Sequence, residues 1–191
     1  MPYFQKIVGT KVYLSPITKD DPEKYCTWLN NLEIGLKLNM QTANISMSQE
    51  VETLERLMKD GNHFAIVDKE NEEVIGNCGY NKVNHINRSA TIGIFIGDNN
   101  YWNKGYGTEV IDLILNYGFN ILNLHNIMLE VKEFNKGAIK CYEKCGFKLI
   151  GRRREDSIYG IKKYDTLYMD IISSEYNGNI NDLLKDYSLK L

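Results

Sequence analysis

The sequence predicts a mixed α/β fold in which helices accompany one central sheet of about seven strands. The first observation is a set of short apolar runs bounded by turn residues, which is typical of strands. The second is a set of segments whose apolar residues recur at helical spacing. Taken in order along the chain, these segments read β–α–α–β–β–β–α–β–α–β–β.

The first half of the chain contains four predicted strands and two predicted helices. A strand is expected at 11–17, and a helix at 20–34 has an aspartate cap and a proline in its first turn. We expect a mobile connection at 35–47. A serine start and a glycine stop bound a second helix at 46–61. Strand-like runs follow at 63–69, 73–84 and 89–98.

The second half begins with a long helix, from Gly105 to about Leu122, whose apolar residues form one broad buried face. A strand at 126–133 and a short helix ending at Gly146 come next, the glycine fitting a left-handed cap. Two final strands are predicted at 147–156 and 164–172. We therefore expect a single domain, 1–191, with a core of about 8–172 and a C-terminal extension, 173–191, that either adds a helix or frays.

The composition excludes several classes of function. A net charge of −2 and a pI near 6.0 argue against a broad nucleic-acid surface, which needs clustered lysine and arginine. The one basic run, 152–154, is followed at once by two acidic residues, so we interpret it as a solvated strand face. No window approaches the roughly 18 apolar residues of a membrane span. We expect neither nucleic acid nor a membrane as a partner.

Four cysteines are scattered along the chain, without the spacing or the nearby histidines of a zinc site. We expect no metal. Unpaired cysteines are typical of a reducing compartment, and the N-terminus lacks the pattern of a signal peptide. Both observations predict a cytoplasmic protein.

A glycine turn, "NKGYG" at 103–107, precedes the long helix. A dinucleotide-binding fingerprint is disfavoured, because Val110 replaces the third glycine and seven residues, 98–104, separate Gly105 from the preceding strand. A Walker loop fails because no Gly-Lys-Ser/Thr follows. A shorter anion nest fits better, since the backbone around Lys104–Thr108 leads directly into a helix N-terminus. The free backbone N–H groups and the helix dipole both favour a diphosphate there. A turn needed only for chain direction is the structural alternative.

A second landmark lies at the start of the short helix, where Asn135 stands seven residues before Tyr142. Seven residues is nearly two turns, so both side chains project from one helix face, with Ala138 between them. Asn135 is either an N-cap or a ligand-binding amide. Tyr142 taken alone would be a core aromatic residue with a satisfied hydroxyl.

These motifs resemble those of a known enzyme superfamily. The segments "YWNKGYGTEV", "LHNIMLEVKEFNKGAIKCYEKCGFKLIGR" and "YMDII" are similar to the GNAT superfamily of acyl-coenzyme A-dependent N-acetyltransferases. More narrowly, they resemble the bacterial branch of ribosomal-protein N-terminal and spermidine acetyltransferases. The similarity covers roughly 8–172 and is densest at 91–151. It implies a mostly antiparallel sheet with the acyl-CoA N-acyltransferase fold, and a homodimer remains open by analogy with the branch.

The resemblance implies acetyl-coenzyme A as cosubstrate and assigns roles to residues of this chain. Gly105 and Gly107 match the family's turn, whereas Trp102 stands where the family has Gln or Arg. Asn135 resembles a residue near the thioester, and Tyr142 resembles the tyrosine that protonates the leaving thiolate. The cofactor-binding residues implied in this way are Phe95, Ile96, Gly97, Trp102, Asn103, Lys104, Gly105, Tyr106, Gly107, Thr108, Asn135, Ala138 and Tyr142.

The general base and the acceptor amine are less defined by the sequence. Glu33, Glu130 and Asp98 are candidate bases, and Glu130 alternates away from its apolar neighbours, as a solvent-facing residue would. Since no strong base stands out, we expect a protein or peptide N-terminal α-amine, whose pKa is near 8, as the acceptor. The alternatives are spermidine or an aminoglycoside, which need converging carboxylates such as Glu23, Glu33, Glu52 and Glu55, or a catalytically silent acyl-CoA-binding module.

Overall fold

Strands and helices alternate much as the sequence predicts. The computed structural model describes residues 3–40 and 42–185. The strands are β1 (Ile7–Val8), β2 (Val12–Pro16), β3 (His63–Asp68), β4 (Val74–Asn84), β5 (Ser89–Ile96), β6 (Asn126–Lys132), β7 (Lys148–Tyr159) and β8 (Lys162–Ile172). The helices are α1 (Pro22–Leu29), α2 (Leu32–Leu38), α3 (Met47–Asp60), α4 (Tyr106–Asn120), α5 (Lys136–Lys144) and α6 (Ile180–Leu183), with 3-10 turns at Asn99–Tyr101 and Ser173–Glu175.

Local capping explains where most helices begin and end. Ser46 and Gln49 form a capping box at the start of α3, and Gly61 ends that helix with φ of 70°. Gly146 follows α5 with φ of 95°, so the predicted left-handed cap is confirmed. Both glycines occupy a backbone region that other L-residues rarely adopt.

The region between α1 and α3 differs from our expectation. The helix predicted at 20–34 is two helices, and residues 35–38 of the predicted mobile connection belong to α2. Asn31 interrupts the first helix because its side chain accepts a hydrogen bond from the Glu33 N–H and so caps a new helix. Asn39 then ends α2 in the left-handed conformation, with φ of 61°.

The strands form an eight-stranded sheet in the order β1-β2-β3-β4-β5-β6-β8-β7. The extra strand relative to the predicted seven is β1, whose two residues pair with Tyr13 and Leu14 at the sheet edge. The sheet is mostly antiparallel, as the resemblance implied. β5 pairs in parallel with β6 over Ser89–Thr91 and Asn126–Met128.

The chain divides into two compact units, the first of residues 1–80 and 94–110, the second of residues 81–93 and 111–191. The core of the first unit packs α1 and α3 against β2 and β3, through Tyr25, Leu54 and Val67 among others. The core of the second unit includes the apolar face predicted for α4 and the alternating residues of β6, which are Ile111, Ile114, Leu115, Ile127, Leu129 and Val131. Our expectation of a single domain stays a prediction.

The C-terminal extension contains a 3-10 turn and α6, and the predicted segment beyond residue 185 lies outside the described residues. In the basic run, Arg152 lies exposed on β7 and pairs with Asp165 at 2.7 Å, as a solvated strand face predicts. Of the helices in the described ranges, none is long and apolar enough to cross a membrane.

Candidate active site

The glycine turn places two residues with positive φ on either side of Lys104. Asn103 has φ of 58° and Gly105 has φ of 88°. The Glu109 N–H donates to the Gly105 carbonyl at 3.1 Å, so the hydrogen bonds of α4 begin at Gly105. Backbone of this kind, opening directly into a helix N-terminus, forms a concavity that attracts anions. Positive φ at these two positions is compatible with the anion-nest interpretation, which stays a prediction.

The end of β5 leads into this turn and has several backbone groups already engaged. The Gly97 N–H donates to the Ile75 carbonyl at 2.8 Å. A Cβ atom on Gly76 would lie 2.0 Å from the Phe95 carbonyl oxygen, so only glycine permits this approach of the two strands. The Ile96 carbonyl accepts a hydrogen bond from the Trp102 indole N–H at 2.8 Å.

Trp102 connects the turn to α2 as well as to β5. The Lys37 ammonium nitrogen lies 3.7 Å from the centroid of the Trp102 ring, which is a close cation–π contact. The same ammonium forms an ion pair with the Glu33 carboxylate at 2.8 Å. A tryptophan in place of the family's Gln or Arg thus brings a lysine side chain of α2 beside the turn.

Tyr106 has a structural contact that the sequence did not indicate. Its hydroxyl donates to the buried Asp68 carboxylate at 3.2 Å, and its ring packs edge-on against Tyr101 with centroids 4.9 Å apart. Burial, followed by the hydrogen bond to Asp68, raises the pKa of Tyr106 to about 12. Lys104 lies exposed, and Gly107 and Thr108 are partly exposed in the first turn of α4.

The second predicted part of the site lies on α5. The Ala138 N–H donates to the Asn135 side-chain oxygen at 3.3 Å, so Asn135 is an N-cap. Tyr142 exposes 9% of its surface and packs against Phe147, with ring centroids 6.0 Å apart. Burial, and to a lesser extent the neighbouring cysteines, raises the pKa of Tyr142 above its ordinary value. Burial fits both interpretations of Tyr142, a core aromatic residue and an acid kept protonated.

The three candidate bases occupy different environments. Glu33 is exposed and pairs with Lys37. Asp98 accepts a hydrogen bond from the Asn100 N–H at 2.8 Å and caps the 3-10 turn. Glu130 is exposed on β6, as its alternation predicted. Each of these carboxylates therefore has either another contact or free access to solvent.

A fourth carboxyl group, Glu50 on α3, was missed by the sequence analysis. It exposes only 3% of its surface, and burial raises its pKa to about 7. In the described part of the chain, no ion pair includes Glu50. After burial, the Glu50 charge is the next cause that raises the pKa of Tyr25 and of Cys26, both on α1. Helical spacing could have found this residue, because it lies four positions before the buried Leu54.

An aromatic cluster joins the surroundings of Glu50 to the end of β5. The Tyr25 ring lies 5.4 Å from that of Trp28 and 6.0 Å from that of Phe95, both edge-on. A Cβ atom on Gly97 would come within 2.1 Å of the Trp28 ring. Among residues 3–40 and 42–185, no group of three or more His, Cys, Asp or Glu side chains could hold a metal ion.

Comparison with known proteins identifies the family. Residues 11–148 match the acetyltransferase (GNAT) domain. An uncharacterized N-acetyltransferase of Bacillus licheniformis, p20, is 28% identical over 88% of this chain and 96% of its own. The spermidine N(1)-acetyltransferase of Vibrio cholerae is 34% identical over 58% of this chain and 64% of its own.

A solved structure adds to this comparison. The spermidine N-acetyltransferase from Vibrio cholerae, in complex with CoA and spermine, has a TM-score of 0.79 and 28% identity, covering 88% of this chain and 99% of that one. The chain therefore belongs to the GNAT acetyltransferase family. Within that class it is an N-acetyltransferase that uses acetyl-CoA.

Proposed function

We propose that the chain acetylates a primary amine of a polyamine, such as spermidine. The relatives above whose names specify an acceptor specify spermidine. The observation in this chain that supports the same acceptor is Glu50, a buried carboxyl group beside the aromatic cluster at the end of β5 that forms no ion pair with any residue the structure describes. A carboxylate taken out of water is stabilised by a cation, and a polyamine carries several ammonium groups.

The other carboxylates offered by the sequence contribute less to this proposal. Glu33 pairs with Lys37, and Glu55 lies 3.7 Å from the Lys19 ammonium. Glu23 and Glu52 are exposed on their helices. Glu50 is thus the carboxyl group of this region whose environment most favours an incoming ammonium.

The proposed chemistry uses the two parts of the site described above. The coenzyme diphosphate binds at the turn around Gly105, and the thioester extends along the end of β5. The neutral amine nitrogen attacks the thioester carbonyl carbon, the carbon–sulfur bond breaks, and the thiolate takes the proton of the Tyr142 phenol. The amine nitrogen loses a proton to water or to a carboxylate, and the Tyr142 phenolate regains a proton from water, so charge and protons balance over the cycle.

The N-terminal α-amine that we expected from the sequence rested on the lack of an obvious base. Glu50 weakens that argument, because a carboxyl group with a pKa of about 7 is better matched to proton transfer at neutral pH than an ordinary glutamate. The comparisons give no specific support to a protein acceptor. We therefore place the polyamine first.

Thiol release from acetyl-CoA tests the proposal when spermidine, a peptide with a free α-amine and kanamycin are compared. We expect the highest kcat/KM with spermidine. Because Glu50 gains its charge as the pH rises through about 7, the KM for spermidine should fall over that range. In the Glu50→Gln variant, the KM for spermidine should be roughly 10-fold higher at pH 8 and should no longer change with pH over this range.

Glu52→Gln is the matched control, since it removes the same charge from an exposed position of the same helix. It should leave the KM for spermidine close to that of the wild type. A preference for the peptide, or equal effects of the two substitutions, would contradict the polyamine proposal. Binding of acetyl-CoA without turnover of any amine would instead favour the silent module.

A further inference from the structure

The Lys11 side chain reaches the glycine turn from a part of the sequence 93 residues away. Its ammonium donates to the Lys104 carbonyl oxygen at 2.6 Å and lies 5.3 Å from the centroid of the Tyr106 ring. A Cβ atom built on Gly105 would have this ammonium as its nearest neighbour, at 3.5 Å. Lys11 thus contacts the peptide that joins the two residues at the centre of the turn.

This contact determines which way the next amide points. The N–H and C=O of a trans peptide point in opposite directions within one plane. With the Lys104 carbonyl bound to Lys11, the Gly105 N–H must point away from the segment that carries Lys11. Gly105 has φ of 88° and no Cβ, so this peptide can rotate unless a contact holds it.

The backbone of Lys11 is itself fixed by α4. The Glu109 carboxylate accepts hydrogen bonds from the Lys11 N–H at 2.8 Å and from the Val12 N–H at 3.2 Å. Glu109 lies in the first turn of α4, where a negative charge is also favoured by the helix dipole. The start of β2 and the start of α4 are therefore joined twice, once through each of these side chains.

We propose that Lys11 is a positioning residue for the donor site, which holds the Lys104–Gly105 peptide so that the Gly105 N–H faces the coenzyme diphosphate. This inference rests on the proposed location of the diphosphate at the glycine turn. Lys11 binds the carbonyl side of the peptide and does not contact the coenzyme. Its positive charge also lowers the cost of bringing the diphosphate to the turn.

Lys11→Met tests this role, and Lys69→Met is a matched control. The Lys69 ammonium also donates to a backbone carbonyl of the same region, that of Gly9 at 3.0 Å, but it does not contact the glycine turn. We expect Lys11→Met to raise the KM for acetyl-CoA roughly 10-fold, the effect of losing one charged hydrogen bond, with kcat little changed. Lys69→Met should leave this KM unchanged, and Lys11→Arg should restore most of the affinity.

The donor substrate separates positioning from a general loss of structure. S-acetylpantetheine has the same thioester but no diphosphate, so the wild type and Lys11→Met should use it equally well. If Lys11→Met lowers kcat/KM equally for both donors, the positioning role is wrong. The role is also wrong if Lys11→Met and Lys69→Met have the same KM for acetyl-CoA. Should Lys11→Met fail to fold, Lys11→Gln gives the same comparison. A wild-type KM that is equal for the two donors would instead overturn the placement of the diphosphate.

Discussion

At the scale of single residues, the Tyr142 phenol is the group with the most specific assigned chemistry. A tyrosine phenol is protonated at neutral pH, as a general acid must be, and burial raises its pKa further. We expect Tyr142→Phe to lower kcat by about 10²–10⁴-fold, because the leaving thiolate then lacks its proton donor. The KM for acetyl-CoA should stay nearly constant.

Steady-state kinetics with acetyl-CoA and spermidine measure both quantities. The substitution keeps the ring that packs against Phe147, so the variant should fold like the wild type. Unchanged turnover in Tyr142→Phe would remove the phenol from the mechanism and leave it as a core aromatic residue.

Residue-level prediction from the sequence succeeded where the signal was local. Asn135 and Tyr142 stand at helical spacing, and the structure confirms that Asn135 caps α5. Lys11 could not be found in this way, because its contact with Lys104 joins positions far apart in the chain. The buried position of Glu50 was predictable from spacing, but its raised pKa depends on how deeply the folded chain buries the carboxyl group.

At the scale of elements, the packing of α1 on the end of β5 depends on Gly97. A side chain at this position would collide with the Trp28 ring, since the nearest ring atom lies 2.1 Å from an ideal Cβ. We expect Gly97→Ala to lower the free energy of unfolding by about 1–3 kcal/mol, the usual cost of overpacking. Urea denaturation followed by circular dichroism measures this loss.

Gly151→Ala provides the comparison for that experiment. Its Cβ would lie 3.9 Å from Tyr168, an ordinary van der Waals distance, so its stability should change little. Equal stabilities of Gly97→Ala and the wild type would show that α1 does not pack this closely on β5.

An element with capping signals at both ends and an apolar pattern between them was predictable from the sequence, whereas a break marked by one cap and a two-residue strand were not. Ser46 and Gly61 bound α3 in the structure as they do in the sequence pattern. The break between α1 and α2 was missed, because it is marked by the side-chain cap of Asn31 and not by a change in the apolar pattern. The two residues of β1 were missed because a strand this short has no pattern of its own.

At the scale of the whole molecule, the order of strands and helices carried the prediction of the fold. A mixed, mostly antiparallel sheet follows from that order and from the resemblance, and the eight strands and the family match confirm it. The homodimer and the cytoplasmic location expected from the sequence stay predictions.

The measurement that tests the central claim most directly is a crystal structure of the chain with coenzyme A. We predict diphosphate oxygens about 3 Å from the backbone nitrogens of Gly105 and Gly107, and the coenzyme sulfur within hydrogen-bonding reach of the Tyr142 hydroxyl. A diphosphate bound away from the glycine turn, or a sulfur that the phenol cannot reach, would contradict this account of the donor site and its acid.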